Sequence, residues 1–141
     1  MNRIIVGVDG SPESRKAAAF AADLAVATKA RLMVAHAKPP IWPASPDVEP
    51  EWPQLQAEAE ERHSRELLAE ATKECSRPGL EIEVQSLNGP AAPALADLAD
   101  ASSCDLLVVG HRGRNAIARV LLGSVADRLT QLSRRPVLVH R

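Results

Sequence analysis

The chain has 141 residues, a length at which a single domain buries roughly 68 to 70% of the surface that its unfolded form exposes. Its 17 basic and 18 acidic side chains give a formal net charge of -1, so we expect neither a nucleic-acid nor a membrane partner. The longest apolar runs, residues 4–8 and 106–109, are far shorter than the roughly 20 residues that span a bilayer. Because the opening residues also lack the apolar core of a signal peptide, we expect a single cytoplasmic domain over residues 1–141.

The first strand and the first helix are predicted within residues 4–28. Residues 4–8 are rich in β-branched side chains and end in a turn cluster, Asp9-Gly10-Ser11-Pro12. Ser11 is placed to cap the following helix, with Pro12 at its first position. Small side chains recur at helical spacing at Ala17, Ala21 and Ala25, so this helix is expected to lie close to a sheet.

A proline-rich segment separates the second strand, residues 31–37, from the second helix. Residues 39–53 contain six of the eleven prolines and both tryptophans of the chain. Proline removes an amide donor and disfavours helix in the residue before it, so this segment predicts a long loop. The second helix is expected to begin at about Gln54 and to end at Cys75. Its inward stripe repeats every fourth residue: Ala59, His63, Leu67 and Ala71.

The second half of the chain predicts three more strands and two more helices. Residues 80–85 alternate apolar and polar side chains, which is typical of an edge strand with one face in water. A helix over residues 90–103 leads into residues 105–109, whose apolar run predicts a strand buried on both faces. A fourth helix and a last strand, residues 136–139, complete the chain, and the inner face of that helix is predicted to carry Val125, Leu129 and Leu132.

Strands that alternate with helices predict a doubly wound α/β domain, in which a parallel sheet of five strands is covered on both sides. The apolar strands one and four belong in the centre of the sheet, and the half-polar strand three belongs at an edge. The order 3-2-1-4-5 satisfies both conditions. It puts the topological switch point between strands one and four, where ligands of such sheets bind at the carboxyl ends.

A pattern of glycines follows strand four and continues to the start of the fourth helix. Gly110 and Gly113 stand directly after the strand, and Gly123-Ser124 follows after nine intervening residues. Glycine allows the backbone to turn tightly and to approach a ligand without a Cβ in the way. Alone, each glycine suits an ordinary turn and Ser124 suits an N-cap, whereas together they favour a phosphate site.

The same segment supplies the groups that bind phosphate. The amides of Gly123, Ser124 and Val125 lie at a predicted helix N-terminus, where unpaired N–H groups and the helix dipole favour an anion. Positive charge is available from three arginines: Arg112, Arg114 and Arg119. These residues therefore predict a site for a polyphosphate.

The glycine pattern resembles the ATP-binding signature of the universal stress protein family. Residues 4–11 are similar to that family's opening strand and residues 134–139 to its closing strand, so the resemblance covers the whole chain. It implies a Rossmann-like fold of the adenine nucleotide alpha hydrolase type that binds ATP, with an accompanying Mg²⁺ left open. It also implies a nucleotide-dependent regulatory protein that acts through partner or oligomer contacts. A slow nucleotide hydrolase or phosphotransferase is the alternative function.

Carried over to this sequence, the resemblance implies a site with two ends. Val8, Asp9 and Ala37 would line the adenine and ribose end. The phosphate end would consist of Gly110, Arg112, Gly113, Gly123, Ser124 and Val125. Asp9 suits a ribose contact, a metal ligand or a helix cap, and the ribose contact is preferred.

The last strand and the cysteines complete the expectations. The run that begins at Pro136 and ends at Val139 is apolar on both faces, although the strand order leaves it at an edge. Such an edge invites pairing, and the family commonly associates this way, so a homodimer through strand five is expected. Cys75 and Cys104 have neither metal-site nor redox-motif spacing and are expected to be free thiols.

Overall fold

The computed structural model describes residues 1–40, 51–113 and 122–141. Strands and helices alternate along these residues, and the strands form one parallel sheet in the predicted order, β3-β2-β1-β4-β5. The elements are β1 (Arg3–Gly7), α1 (Pro12–Thr28), β2 (Arg31–Lys38), α2 (Trp52–Cys75), β3 (Ile82–Asn88), α3 (Ala91–Ala101), β4 (Leu106–Gly110), α4 (Ser124–Leu132) and β5 (Val137–His140). Within these ranges, no helix combines the length and the apolar character needed to cross a membrane.

The core consists of two layers, one on each face of the sheet. Successive side chains of a strand point to opposite faces, so Ile4 and Val6 pack among the residues of α1 and α2. Ile5, between them, packs among the residues of α3 and α4. All three are fully buried, which accounts for the uninterrupted apolar run that predicted a central strand.

Helix α1 lies very close to the sheet because its inner face carries only small side chains. Those buried there are Ser14, Ala17, Ala18, Ala21, Ala22 and Ala25. At the end of β4, a Cβ added to Gly110 would lie 2.9 Å from the carbonyl carbon of Glu13 and 3.1 Å from the amide nitrogen of Ser14. The first turn of α1 and the end of β4 therefore touch backbone to backbone.

The predicted cap of α1 is confirmed. The Ser11 Oγ accepts a hydrogen bond from the Ser14 N–H at 3.1 Å, and Pro12 stands at the first helical position. The Ser14 Oγ donates in turn to the Ser11 carbonyl at 3.0 Å. Both serines are buried, so these bonds fix the entry of the chain into α1.

Helix α2 begins at Trp52, two residues earlier than expected, and its buried stripe differs from the prediction. Leu67 and Ala71 are buried as expected, but Ala59 and His63 are exposed. A strict four-residue repeat drifts around a helix of 3.6 residues per turn, so a long contact face needs steps of three as well as four. The observed stripe follows that rule: Ser64, Leu67, Leu68, Ala71 and Cys75.

The structure also differs from the prediction in the exposure of side chains on α4 and in the bounds of β3. In α4, Ala126 and Leu129 are buried, whereas Val125 is 37% exposed and Leu132 43% exposed, against the prediction. Strand β3 lies at an edge as predicted, but it spans Ile82–Asn88 rather than residues 80–85, because it pairs with β2 from Leu32 to Lys38. Of the predicted loop, residues 41–50 lie outside the described residues.

Both cysteines are free and buried, as expected. The Cys75 Sγ lies 3.5 Å from the Ala18 carbonyl oxygen, so this thiol packs between α2 and α1. Burial raises the pKa of Cys75 to about 11. The thiol is therefore protonated at neutral pH and serves as a small apolar side chain.

The close approach of α1 to β4 predicts that Gly110→Ala destabilises the protein. The new methyl group would meet backbone atoms of Glu13 and Ser14, so the helix itself must shift. We expect a loss of about 2 to 3 kcal/mol in the free energy of unfolding, the scale of core overpacking. Urea unfolding followed by circular dichroism measures it.

Gly7→Ala is the matched comparison. A Cβ at Gly7 would lie 2.7 Å from the Leu95 Cδ1, a methyl group at the end of a side chain that can rotate away. We expect a smaller loss for Gly7→Ala than for Gly110→Ala. Equal stabilities for the wild type and Gly110→Ala would contradict the backbone contact.

Candidate functional site

A cleft of about 960 Å³ opens at the carboxyl ends of β1, β2 and β4. It lies at the switch point of the sheet, because β1 connects to β2 through α1 on one face, whereas β3 connects to β4 through α3 on the other face. The structure brings all nine predicted site residues to this cleft: Val8, Asp9, Ala37, Gly110, Arg112, Gly113, Gly123, Ser124 and Val125. Their shared location is thus observed, and their roles in binding stay a prediction.

At one end of the cleft, β1 separates from β2. The Val8 N–H still donates to the Ala35 carbonyl at 2.9 Å, and the chain then turns away through Gly10, whose φ is +81°. Backbone groups in a strand alternate in direction, so Ala37 directs its N–H and carbonyl to the same side as Ala35. Among the described backbone hydrogen bonds, none joins Ala37 to β1. The peptide edge of Ala37 therefore faces the space that β1 has left.

Asp9 stabilises the turn between β1 and α1 by two hydrogen bonds. Its Oδ1 accepts from the Ser11 N–H at 2.9 Å, and its own N–H donates to the Ser14 Oγ at 3.3 Å. The helix cap is Ser11, so the interpretation of Asp9 as the cap is wrong. The Asp9 Oδ2 lies 2.6 Å from the point that a Cβ of Gly113 would occupy. One carboxylate thus connects the loops after β1 and β4, and a ribose contact stays a prediction.

At the other end of the cleft, α4 begins with amides that have no acceptor within the helix. The first hydrogen bond of the helix runs from the Asp127 N–H to the Gly123 carbonyl, so the N–H groups of Ser124, Val125 and Ala126 have no acceptor within the helix. Gly123 differs, because its N–H donates to the His111 carbonyl at 2.6 Å. The expectation that the Gly123 amide serves a phosphate is therefore wrong, while the amides of Ser124 and Val125 remain suitable.

The three signature glycines are required by contacts within the protein. Gly110 touches the backbone of α1, and a Cβ at Gly123 would lie 3.1 Å from both the Arg112 Cα and the His111 carbonyl oxygen. Gly113 faces a carboxylate, as described above. Close packing of one loop on another is thus a reason for these glycines within the protein, and approach of the backbone to a ligand stays a prediction. A left-handed backbone is not a reason for them, because the described glycines with a positive φ are Gly10, Gly79 and Gly89.

Arg112 carries positive charge to the cleft. Its Nε is buried and has no hydrogen-bond partner among the described residues. A buried N–H of a guanidinium without an acceptor is costly, so the lining of the cleft holds a cation with an unsatisfied donor. The other two predicted arginines, Arg114 and Arg119, lie outside the described residues.

Sequence reasoning missed the contribution of α2 to the cleft. Glu60 and His63 line it from one face of that helix, and the His63 ring lies 6.4 Å from the ring of His36, at 81° to it. Their spacing of three residues was the available signal. Nearby, a hydrogen bond from Lys38 lowers the pKa of Glu61 and ties α2 to the end of β2.

The described residues of the cleft form no metal centre of their own. Across residues 1–40, 51–113 and 122–141, no three His, Cys, Asp or Glu side chains are grouped to hold a metal ion. Asp9 is the carboxylate nearest to the signature glycines, and Ser11 already binds one of its oxygens. The described residues thus provide no complete ligand set of their own.

Comparison with known proteins gives a family match. A family model described as the Universal stress protein family matches residues 1–141. A universal stress protein from Mycolicibacterium smegmatis is 33% identical over 138 residues, which cover 98% of this chain and 45% of that protein. One from Methanocaldococcus jannaschii is 30% identical and covers 97% of this chain and 80% of its own length. The chain thus spans about half the length of the mycobacterial relatives that it matches.

Solved structures agree with the observed fold. A universal stress protein in complex with cAMP is 32% identical, with a TM-score of 0.75 over 98% of this chain and 95% of that chain. One from Lactobacillus plantarum is 22% identical, with a TM-score of 0.87 over 99% and 97% of the two chains. One from Archaeoglobus fulgidus, in complex with dAMP, is 24% identical, with a TM-score of 0.70 over 100% and 98%. The last two support the fold alone.

The contact between Gly113 and Asp9 predicts an energetic coupling. In Gly113→Ala the new Cβ would overlap the Asp9 Oδ2, so the carboxylate must rotate and weaken its bond to the Ser11 N–H. We expect a loss of about 1 kcal/mol in the free energy of unfolding, the scale of one hydrogen bond. Urea unfolding of the variant measures this loss.

A double-mutant cycle with Asp9→Ala isolates the contact. Without the carboxylate, Gly113→Ala has nothing to displace, so its effect should largely disappear and leave a coupling energy of about 1 kcal/mol. Strictly additive effects of the two substitutions would argue against the contact.

Proposed function

Since the chain belongs to the universal stress protein family, we propose that it is an ATP-binding regulatory protein whose nucleotide occupies the cleft between β1 and β4. The observation that carries the proposal is Arg112, which lines that cleft and whose buried Nε has no hydrogen-bond partner among the described residues. The same cleft is lined by the first residues of α4, whose N–H groups have no acceptor within the helix. A guanidinium and a helix N-terminus are complementary to a phosphate chain.

The other end of the cleft suits an adenine base. The peptide edge of Ala37 offers one N–H donor and one carbonyl acceptor side by side, and adenine offers N1 as an acceptor and its 6-amino group as a donor. We assign Val8 and Ala37 to the base and Asp9 to the ribose. The relative in complex with cAMP, 32% identical to this chain, supports an adenine nucleotide as the ligand.

ATP is proposed over shorter nucleotides because the phosphate end has several donors. The amides of Ser124 and Val125, the Ser124 hydroxyl and the Arg112 guanidinium together match a charged chain of phosphates. Mg²⁺ would arrive with that chain, because the described residues hold no cluster for it. ATP occupancy would then control contacts with a partner or with a second copy.

The first test is calorimetric titration of the purified protein with ATP, together with mass spectrometry of any nucleotide released on denaturation. Arg112→Gln should weaken ATP binding by about 10- to 100-fold, the scale of a hydrogen bond to a charged group. Ser124→Ala should be milder, because the amides and the helix dipole remain.

Two exposed residues outside the cleft give matched controls. Arg134→Gln and Ser76→Ala remove the same groups and should bind ATP like the wild type. A wild-type protein that binds no ATP would overturn the proposal.

A homodimer through β5 is the second part of the proposal. Strand β5 is an edge strand, and the carbonyls of Pro136 and His140 accept from the β4 side, at Leu107 and His111. By the alternation of a strand, Val139 therefore directs its N–H to the open edge. The substitution Val139→Pro would therefore remove an N–H that points to the open edge and would leave the hydrogen bonds to β4 intact.

We expect light scattering to report a dimer for the wild type at micromolar concentration and a monomer for Val139→Pro. Val84→Pro is the matched control. Val84 is 54% exposed on β3, and the bonds at Glu81 and Gly89 show that its N–H faces away from β2 at the opposite edge. A wild-type monomer, or a dimer that only Val84→Pro disrupts, would contradict pairing through β5.

A further inference from the structure

The carbonyl of Val8 has an unusual partner at the point where the sheet opens. In a continuing parallel ladder, this carbonyl would accept from the Ala37 N–H. It accepts instead from the His36 side chain, whose Nδ1 lies 2.8 Å away. Because a carbonyl oxygen only accepts, the His36 Nδ1 carries the proton. A side chain thus takes the place of a backbone donor at the edge of the cleft.

The His36 ring is held firmly in this position. The residue is only 6% exposed, and the ring of His63 from α2 lies against it in an edge-on arrangement. A side chain that packing already confines loses little further entropy when it binds an acceptor. The Val8 carbonyl is therefore satisfied without any contribution from Ala37.

We propose that His36 is a positioning residue that gives the cleft its selectivity for adenine. By occupying the Val8 carbonyl, the imidazole prevents closure of the ladder and keeps the Ala37 N–H available to a base. The proposal rests on the proposed nucleotide function. To that function it adds a role for His36, which keeps the peptide edge of Ala37 unpaired with β1. No motif in the sequence indicated this role.

Hypoxanthine is the informative comparison base. It carries a proton on N1 and an oxygen on C6, so its donor and acceptor are reversed relative to adenine. The N–H and carbonyl of Ala37 match adenine and oppose hypoxanthine, whereas the ribose and the phosphates of ATP and ITP are the same. A residue that acts only on the base edge should therefore change ATP binding and leave ITP binding alone.

Two substitutions separate positioning from a general structural role. In His36→Leu the Val8 carbonyl loses its donor, and the Ala37 N–H is the group best placed to replace it, which would close the ladder. In His36→Asn the side-chain N–H₂ stands near the position of Nδ1 and can still donate to Val8. The leucine variant should therefore lose adenine selectivity, and the asparagine variant should keep it.

The experiment is calorimetric titration of the three proteins with ATP and with ITP, after circular dichroism has established that each is folded. We expect the wild type to prefer ATP by about tenfold or more, the value of one or two hydrogen bonds. His36→Leu should lose about tenfold in ATP affinity with ITP affinity unchanged, and His36→Asn should stay within about threefold of the wild type.

The possible results are distinguishable. Equal losses for ATP and ITP in both variants would overturn the positioning role, as would full ATP selectivity in His36→Leu. If His36→Leu does not fold, a His36→Asn variant without ATP selectivity overturns it, and one that retains selectivity supports it. A wild type that binds neither nucleotide would instead remove the proposed function, and this inference with it.

Discussion

The structure depends on one close contact, the approach of the α1 backbone to the end of β4. Gly110 leaves no room for a side chain at this point, and the alanine face of α1 lets the helix reach it. The first turn of α1 is thereby fixed beside the loop that follows β4. Because Ser11 and Ser14 belong to that turn and bind Asp9, the contact also fixes the position of the Asp9 carboxylate.

The rest of the cleft is built by the same kind of packing. Gly113 lies against Asp9, and Gly123 lies against the backbone of Arg112 and His111. Each glycine lets two segments of the protein meet, so the backbone of Arg112 packs directly on the start of α4. A site held by its own backbone loses little free energy to reorganisation when it binds. The glycine signature is thus a condition for building the loop.

The sequence predicted the fold well because the strands differ in character. The apolar run from Ile4 to Val6 required a central position and the half-polar β3 an edge, which together decided the strand order. That order gave the place of the cleft, and the nine site residues, which came from the glycine pattern and the family resemblance, line it. The contact of Gly110 with α1 and the bond from His36 to Val8 join residues far apart in the chain, and such contacts leave no local pattern. The stripe of α2 was wrong for a simpler reason, since a four-residue repeat was extended over a helix that turns every 3.6 residues.

The peptide of His111 connects the two surfaces on which the proposed function depends. Its N–H donates to the His140 carbonyl at the end of β5, at 2.8 Å, and its carbonyl accepts from the Gly123 N–H at the start of α4. A ligand that draws the amides of α4 toward itself acts on a group bonded to the edge strand, with a single peptide in between. Closely packed interfaces and cores respond to small displacements by switching between discrete arrangements. In the proposed function, a change at the phosphate end of the cleft therefore reaches the edge strand through this peptide, without passing through the core of the sheet.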